Sequence, residues 1–521
     1  MPFFDFHIHP VLKSQFSEKT ATTDKFSPWE KLHKQDIPFL LKWCTEFEYI
    51  LESQANLSQL VVNDCNLICA VLYIAERGMI ENGLVKSAAK GKLKRYLQQP
   101  RIDSILAGNP YQLMLNDDLK TLTDAVQFGV NDRKVKLIKN KTEYDEQDGN
   151  TIHVVFTLEG CHSLCDGLRT YDKTTILNNL DDLRSKVSLL SINVTHIEQS
   201  PLCNHAFAMP YLDDEIFKPT GNRISNDGID IIRHCYENEI LIDVKHMSLA
   251  ARLYLYELRK NTGFFNPVNP PLVCTHAGFT GISSNEIPDY IAGYNRPSGK
   301  KYTQIFHGKP VKYGGGNASP CFNPCSINLY DEDITAIIDS GGMIGLSLDK
   351  RILGYQNYEE NPTGNYLFPV EDEYVSYKEK TLFFPTARTE IGTAIADNKC
   401  VTWKDVKDGG TVLPNAGFQH LRHFMAHILH LIVLTGDNAS QALKQVCIGS
   451  DFDGFINPVW CCESTDEIYH FKQDFKDHFK NFANESSVEL PAGFDITNFC
   501  EDLFFRNGRD FVMKRLDTLN R

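Results

Sequence analysis

Nowhere in this 521-residue chain does an apolar run approach the roughly 18–20 residues that a bilayer-spanning helix needs; the longest, such as Leu67–Ala75, are strand-sized. The N-terminus lacks a basic start, an apolar core and a small-residue cleavage site, because an apolar stretch already begins at residue 3. A cytoplasmic protein with no signal peptide and no membrane attachment is therefore expected. Positive charge is short as well. The net charge of −14, with acidic residues interspersed rather than blocked, argues against a general binder of nucleic acid or anionic membrane. Matched cysteine pairs are missing too. The 15 cysteines are odd in number and several lie in apolar runs (Cys69, Cys274, Cys447). The spacings of Cys161/Cys165, Cys321/Cys325 and Cys461-Cys462 do not build two zinc half-sites, so reduced core thiols are expected. Gly314-Gly315-Gly316 is followed by no Gly-Lys-Ser/Thr opening a helix, which excludes a phosphate loop. No internal repeat or low-complexity tract is present.

What the chain does have is eight short apolar runs rich in Val, Ile, Leu and Phe: Phe3–His9, Leu67–Ala75, Ile152–Glu159, Val187–His196, Ile240–His246, Pro271–His276, Met343–Asp349 and Val446–Asp451. Near-continuous apolar character, rather than alternation, is what strands buried on both faces of a parallel sheet require. Helical stretches separate them. Ser225 opens one in the manner of an N-cap, Asp331–Asp339 forms another that stops at Gly341-Gly342, and Leu421–Leu434 a third. Eight strand-plus-helix units predict an α/β fold of the (β/α)8 TIM-barrel type with its active site at the C-terminal strand ends. We expect one domain over 1–521, with insertions at about 12–60, 278–325 and 352–415 that would form loops at the barrel mouth.

The strand ends share a chemistry. The first ends in His7 and His9, two residues apart and so on one side of a strand; the others deliver Glu159, His196, His246, His276 and Asp451. One strand-end histidine is ordinarily a hydrogen-bonding residue, but six strand ends supplying His, Glu or Asp to one mouth point to metal. The inventory suits two divalent ions, with His7 and His9 on one, His246 and His276 on the other, and Glu159 bridging them. Water held between two such ions ionises near neutral pH. Asp451 would take and return its proton, and His196 would donate a hydrogen bond to an oxyanion. His420, His423, His427 and His430 also stand near one helix face, but that helix belongs outside the barrel, so structural or surface roles are expected. Alternation turns Lys245 away from the mouth. Asp453 is expected to support the loop after the last strand.

Taken in order, Glu159-Gly160-x-His162-Ser163, Thr195-His196, Ile242-Asp243-x-x-His246-x-Ser248, Thr275-His276 and Gly449-x-Asp451-Phe452-Asp453-Gly454 resemble the membrane (renal) dipeptidase family of the amidohydrolase superfamily, from residue 3 to about 455. The resemblance implies a binuclear zinc hydrolase of dipeptides or related small amides, acting on a small-molecule substrate and able to form a homodimer. In it Glu159 bridges the metals, His196 polarises the substrate and Asp451 is the acid/base. The chain departs from the family in three places. His9 stands where the family has Asp, and Ile327 stands where the arginine that binds the substrate carboxylate is expected. Beyond Asp453 the closing Gly-x-Asn segment is missing. Arg351, Arg296 or Lys300 could replace the arginine, and His205 with Asn204 could touch substrate. His162 and Asp243 would hold ligands from behind. A related hydrolase of a lactone, cyclic amide or phosphoester uses the same ions, and a non-catalytic metal-binding module is the reading from another class.

Overall fold

The computed structural model describes residues 2–16, 27–32, 52–81, 99–127, 132–207, 215–219, 223–261, 265, 270–286, 290–295, 301–306, 313–314, 321–323, 325–355, 375–376 and 416–519. In chain order the strands are β1 (Phe3–Ile8), β2 (Cys65–Leu72), β3 (Lys134–Leu137), β4 (Thr151–Glu159), β5 (Leu189–Asn193), β6 (Leu241–Asp243), β7 (Leu272–Ala277), β8 (Tyr290–Asn295), β9 (Lys301–Phe306), β10 (Cys321–Phe322), β11 (Met343–Leu346), β12 (Gly354–Tyr355), β13 (Val375–Ser376) and β14 (Val446–Ile448). A nine-stranded sheet follows the order β1-β2-β4-β5-β6-β7-β11-β14, with β3 beside β4. Every pairing in it is parallel. The ends of the path meet: Asp451 N–H donates to the His7 carbonyl and His9 N–H to the Phe452 carbonyl, both at 2.9 Å. A parallel bridge joins Ile8 to Phe452. The eight expected runs are thus the eight staves of a (β/α)8 barrel.

The ninth strand was not foreseen. β3 lies along the first half of β4, from Lys134 opposite Thr151 to Leu137 opposite Val154, and β5 takes over from Phe156 onward. Its short Lys-Val-Lys-Leu sequence buries only Val135 fully, so it carried little strand signal. The expected helices form. Ser225 caps Asn226–Glu237 by accepting from Gly228 N–H, and Asp331–Asp339 ends before Gly341, whose φ is +73°. Of the insertions, 12–60 shows helices at Leu12–Phe16 and Leu57–Val62. The segments at 278–325 and 352–415 contribute more than loops: β8, β9 and β13 make an antiparallel sheet, and β10 pairs with β12. Much of both lies outside the described residues. All cysteines with described side chains are free thiols, buried except Cys461. No described helix is long and apolar enough to cross a membrane.

The barrel interior is packed rather than open. Phe4 and Phe6 of β1, Leu67 and Cys69 of β2, Val155 of β4, Leu190 of β5, Leu241 of β6, Val273 of β7, Met343 of β11 and Cys447 of β14 form one cluster. It is closed from below by Phe505, Phe511, Val512 and Leu516 of the C-terminal segment. Burying each phenylalanine contributes about 1.5–3 kcal/mol. The residues beyond Asp453, which lack the expected closing segment, instead fold into helices at Ile468–Glu485, Ile496–Glu501 and Asn507–Leu519, of which the last, with Phe505 just before it, forms this floor.

Two irregularities set what faces the mouth. In β1 the step from Asp5 to Ile8 is matched in β2 by the shorter step from Ile68 to Ala70, so one extra residue bulges. Strict alternation would give His7 and His9 the face opposite Phe4 and Phe6. The bulge resets the count, so the phenylalanines fill the floor and both histidines point into the mouth. β7 does the same: Cys274 to Ala277 is matched by Ile344 to Leu346. The displaced Thr275 carbonyl crowds β11 and β14, where a Cβ on Gly345 or Gly449 would stand 1.9 or 1.8 Å from that oxygen. Only glycine fits at either place.

Candidate active site

Glu159, the last residue of β4, sits at the centre of the mouth, with its carboxylate 4% exposed. Its Oε1 lies 3.0 Å from His246 Nε2, 3.5 Å from His7 Nε2, 3.5 Å from His196 Nε2 and 3.6 Å from His276 Nε2. Its Oε2 lies 3.4 Å from His9 Nε2. Asp451 Oδ1 faces the same ring at 3.4 Å and His7 Nε2 at 3.8 Å. Burial opposes a charge on Glu159, but the ring of imidazoles, His196 and His7 foremost, pulls its pKa well below the usual carboxylate range. Burial pushes His246 and His276 the other way, well below the ordinary imidazole value, which leaves them neutral and able to ligate.

The rings are held from behind. The Thr275 hydroxyl donates to Asp243 and stands 2.9 Å from His7 Nδ1 and 3.1 Å from His276 Nδ1. With its hydrogen given to Asp243, the hydroxyl accepts from the histidines. Each ring then carries its proton on Nδ1 and turns a lone pair on Nε2 into the mouth. Asp243 also accepts from Lys245 N–H at 2.9 Å, pinning the turn into which His246 is drawn with φ +67°. Asp451 has φ +62°. Left-handed backbone at two non-glycine residues of one site is strain of the kind functional sites retain.

Three ligand groups converge: His7–His9–Glu159, Glu159–His246–His276 and His7–His276–Asp451. Two of them share Glu159, whose Oε1 faces His7, His246 and His276 and whose Oε2 faces His9. Protein partners alone leave the cluster unsatisfied. His7 Nε2 is buried with no hydrogen-bond partner, and the Nε2 atoms of His246 and His276 face one another at 3.1 Å. Divalent cations fit these donors.

The other residues singled out in the sequence lie in varied surroundings. The His162 ring stands 6.2 Å from that of His196, nearly parallel, with its Nε2 2.7 Å from the Ile74 carbonyl. His205 is buried, its Nε2 3.0 Å from the Phe217 carbonyl, so it offers its other nitrogen only. Arg351 is bound to Asp349 through Nε and Nη2. Arg296 and Lys300 lie outside the described residues. Lys245 turns away, its Nζ 3.1 Å from the Ile327 carbonyl. Asp453 pairs with Lys13 at 2.8 Å and accepts from Gln54 and Ala55, supporting its loop as expected. The four helical histidines are structural, and all are buried rather than surface residues. His427 accepts from Phe279 N–H and meets the Leu353 carbonyl, while His430 pairs with Asp331.

One contributor went unread. β2 had yielded no chemistry at its end, yet the loop after it brings Tyr73 and Glu76 against His196. The only trace in the sequence is a Tyr-x-x-Glu beyond an apolar run, a pattern with no periodicity of its own.

Fold and site together define a (β/α)8 barrel with a histidine–carboxylate cluster at its C-terminal strand ends. No protein family's sequence profile matches the chain, and no curated protein matches it. Among solved structures it is similar to a metallo peptidase from Rhodobacter sphaeroides, liganded with a phosphinate mimic of the dipeptide L-Ala-D-Ala, at 13% identity and TM-score 0.47 over 99% of both chains. It is also similar to the metallo peptidase dipeptidase AC (13%, TM-score 0.45, 99% and 98%) and to the probable dipeptidase PvdM from Pseudomonas aeruginosa (13%, TM-score 0.45, 89% and 90%). At these values the assignment rests on the chain's own strand order and side chains.

Proposed function

We propose that the chain is a binuclear metal-dependent hydrolase of small amide or peptide bonds, dipeptidase-like in its chemistry. The observation that carries this reading is the pair of ligand groups sharing Glu159, with Asp451 and His196 beside them. His7, His9, Glu159, His246 and His276 would hold two divalent ions, zinc being the natural choice for imidazole and carboxylate donors. When bound, the ions polarise the substrate carbonyl and lower the pKa of water.

The chain's own residues do the rest. Asp451, with its side chain 16% exposed at the mouth, accepts the proton of the attacking water and returns it to the leaving nitrogen. His196, carrying a proton on each ring nitrogen, gives Nδ1–H to Glu76 and donates Nε2–H to the oxyanion. His7 and His276 stay fixed because Thr275, itself held by Asp243, braces their Nδ1 atoms. Reduced thiols throughout the described core suit a cytoplasmic setting. A second reading, a lactone or cyclic amide without a free carboxylate, is favoured by apolar Ile327 and by the engagement of Arg351 with Asp349.

Elemental analysis of the purified protein, coupled to hydrolysis assays on dipeptides, N-acyl amino acids, lactones and phosphoesters, tests both. About two zinc per chain with amide turnover is expected. Two ions with lactone turnover alone would transfer support to the second reading, and a chain that takes up no metal would refute both.

A further inference from the structure

Glu76 is a buried carboxylate that neither the ligand groups nor the proton transfer uses. It lies in the loop after β2, its side chain 3% exposed. One oxygen, Oε1, is hydrogen-bonded to His196 Nδ1 and stands 3.8 Å from His162 Nε2. The other, Oε2, accepts from the Tyr73 hydroxyl at 2.5 Å. Tyr73 packs edge-on against three imidazoles, at 5.3 Å from His196 and 5.8 Å from both His9 and His162. The helix that follows the loop, Arg77–Glu81, is tied to the segment that bears His196: Gly78 N–H donates to Glu198 at 2.9 Å, and Glu198 follows His196 by two residues. Gly78 itself stands close to that carboxylate, a Cβ there meeting Glu198 Oε2 at 3.0 Å.

We propose that Glu76 is the positioning residue of His196: by accepting from Nδ1–H of the doubly protonated ring it fixes the ring's rotation, so that Nε2–H is presented to the substrate oxygen. The two oxygens divide the work. Tyr73 sets the plane of the carboxylate and the carboxylate sets the plane of the imidazole, as a hydrogen-bonded partner behind a ligating or donating histidine does. Without Glu76 the His196 ring keeps its place in the segment after β5 but is free to rotate, and its Nε2–H is aimed only part of the time.

This inference rests on the hydrolase reading for its kinetic test, but its structural test does not. In the metal-loaded full chain, Glu76→Ala should lower kcat about 10–100-fold on whichever substrate is turned over. KM should stay within about a factor of two and metal content should be unchanged, as for an interaction expressed in the transition state. In a His196→Ala background the same substitution should change kcat by less than about twofold, because there is no ring left to aim. An equal loss in both backgrounds would overturn the proposal. Glu76→Asp guards against a folding failure: it keeps the charge, withdraws the carboxylate by one methylene and should also cost activity, whereas full activity in it would argue against positioning. Independently of any turnover, the NMR spectrum of the full chain should show a downfield imidazole N–H resonance lost in His196→Ala and in both Glu76 variants. Its persistence in Glu76→Ala would sink the assignment even if the protein hydrolyses no amide at all.

Discussion

Asp451 and Glu159 carry the same chemical group and stand against the same His9 ring at 3.4 Å, yet their surroundings give them different work. Glu159 is enclosed by five imidazoles, while Asp451 reaches the open mouth. Asp451→Asn should therefore keep both ions and lower kcat by about 10²–10⁴-fold, whereas Glu159→Gln should empty the site, as metal analysis of the two variants would show. Retained metal in the glutamine variant would contradict bridging. A second carboxylate offers a pH test away from the metals. Burial raises Asp118 from 3.8 to about 7, against the opposing hydrogen bonds from Tyr73 N–H and Gln15. A folded-state pKa above the unfolded one means that the native protein binds the extra proton, so its contribution to stability is full below about pH 4 and is lost as pH climbs through 7. Asp118→Asn should flatten the fall in urea midpoint between pH 5 and pH 8. An equal fall in wild type and variant would acquit Asp118. Legibility at this scale followed chemistry: a histidine at the end of an apolar run is visible, but Glu76 and Thr275 act through neighbours brought from other strands, and no local pattern marks that.

Among the elements, the bulges in β1 and β7 decide which side chains the mouth receives. They were not legible, because a single extra residue leaves the apolar runs intact while reversing their facing. The expectation that His7 and His9 share one side was sound; which side depended on Asp5–Ile8 holding one residue more than its partner strand. Gly345 and Gly449 are the counterpart of the second bulge. Gly449→Ala would place a methyl 1.8 Å from the Thr275 carbonyl and force β7 outward. A loss of at least about 3 kcal/mol in unfolding free energy is expected, with weaker metal retention because Thr275 and His276 move together. A variant of wild-type stability would show that β7 yields easily.

At the scale of the molecule, the staves were readable from continuous apolar runs, but the floor was not. Phe505, Phe511, Val512 and Leu516 lie in amphipathic helices whose apolar stripe does not announce what it covers. Phe511 meets Phe6 edge-on at 5.9 Å. Phe511→Ala should cost about 3–5 kcal/mol, read by denaturant melts, while leaving kcat unchanged, since the floor and the mouth are opposite ends of the barrel. A matching fall in kcat would mean the two ends are mechanically coupled.

The closure of β1 against the residues after β14 also has a consequence in time. On the ribosome, β1 is made before the other staves, and its partner across the seam, Phe452, is added more than four hundred residues later. At about 5–20 residues per second that interval is roughly 20–90 s. Throughout it Phe3, Phe4 and Phe6 have neither a sealed barrel nor a floor to bury them. For that whole interval the first aromatic strand of the nascent chain is without its final partners, so the order of synthesis, and not only the final packing, bears on how safely the barrel closes.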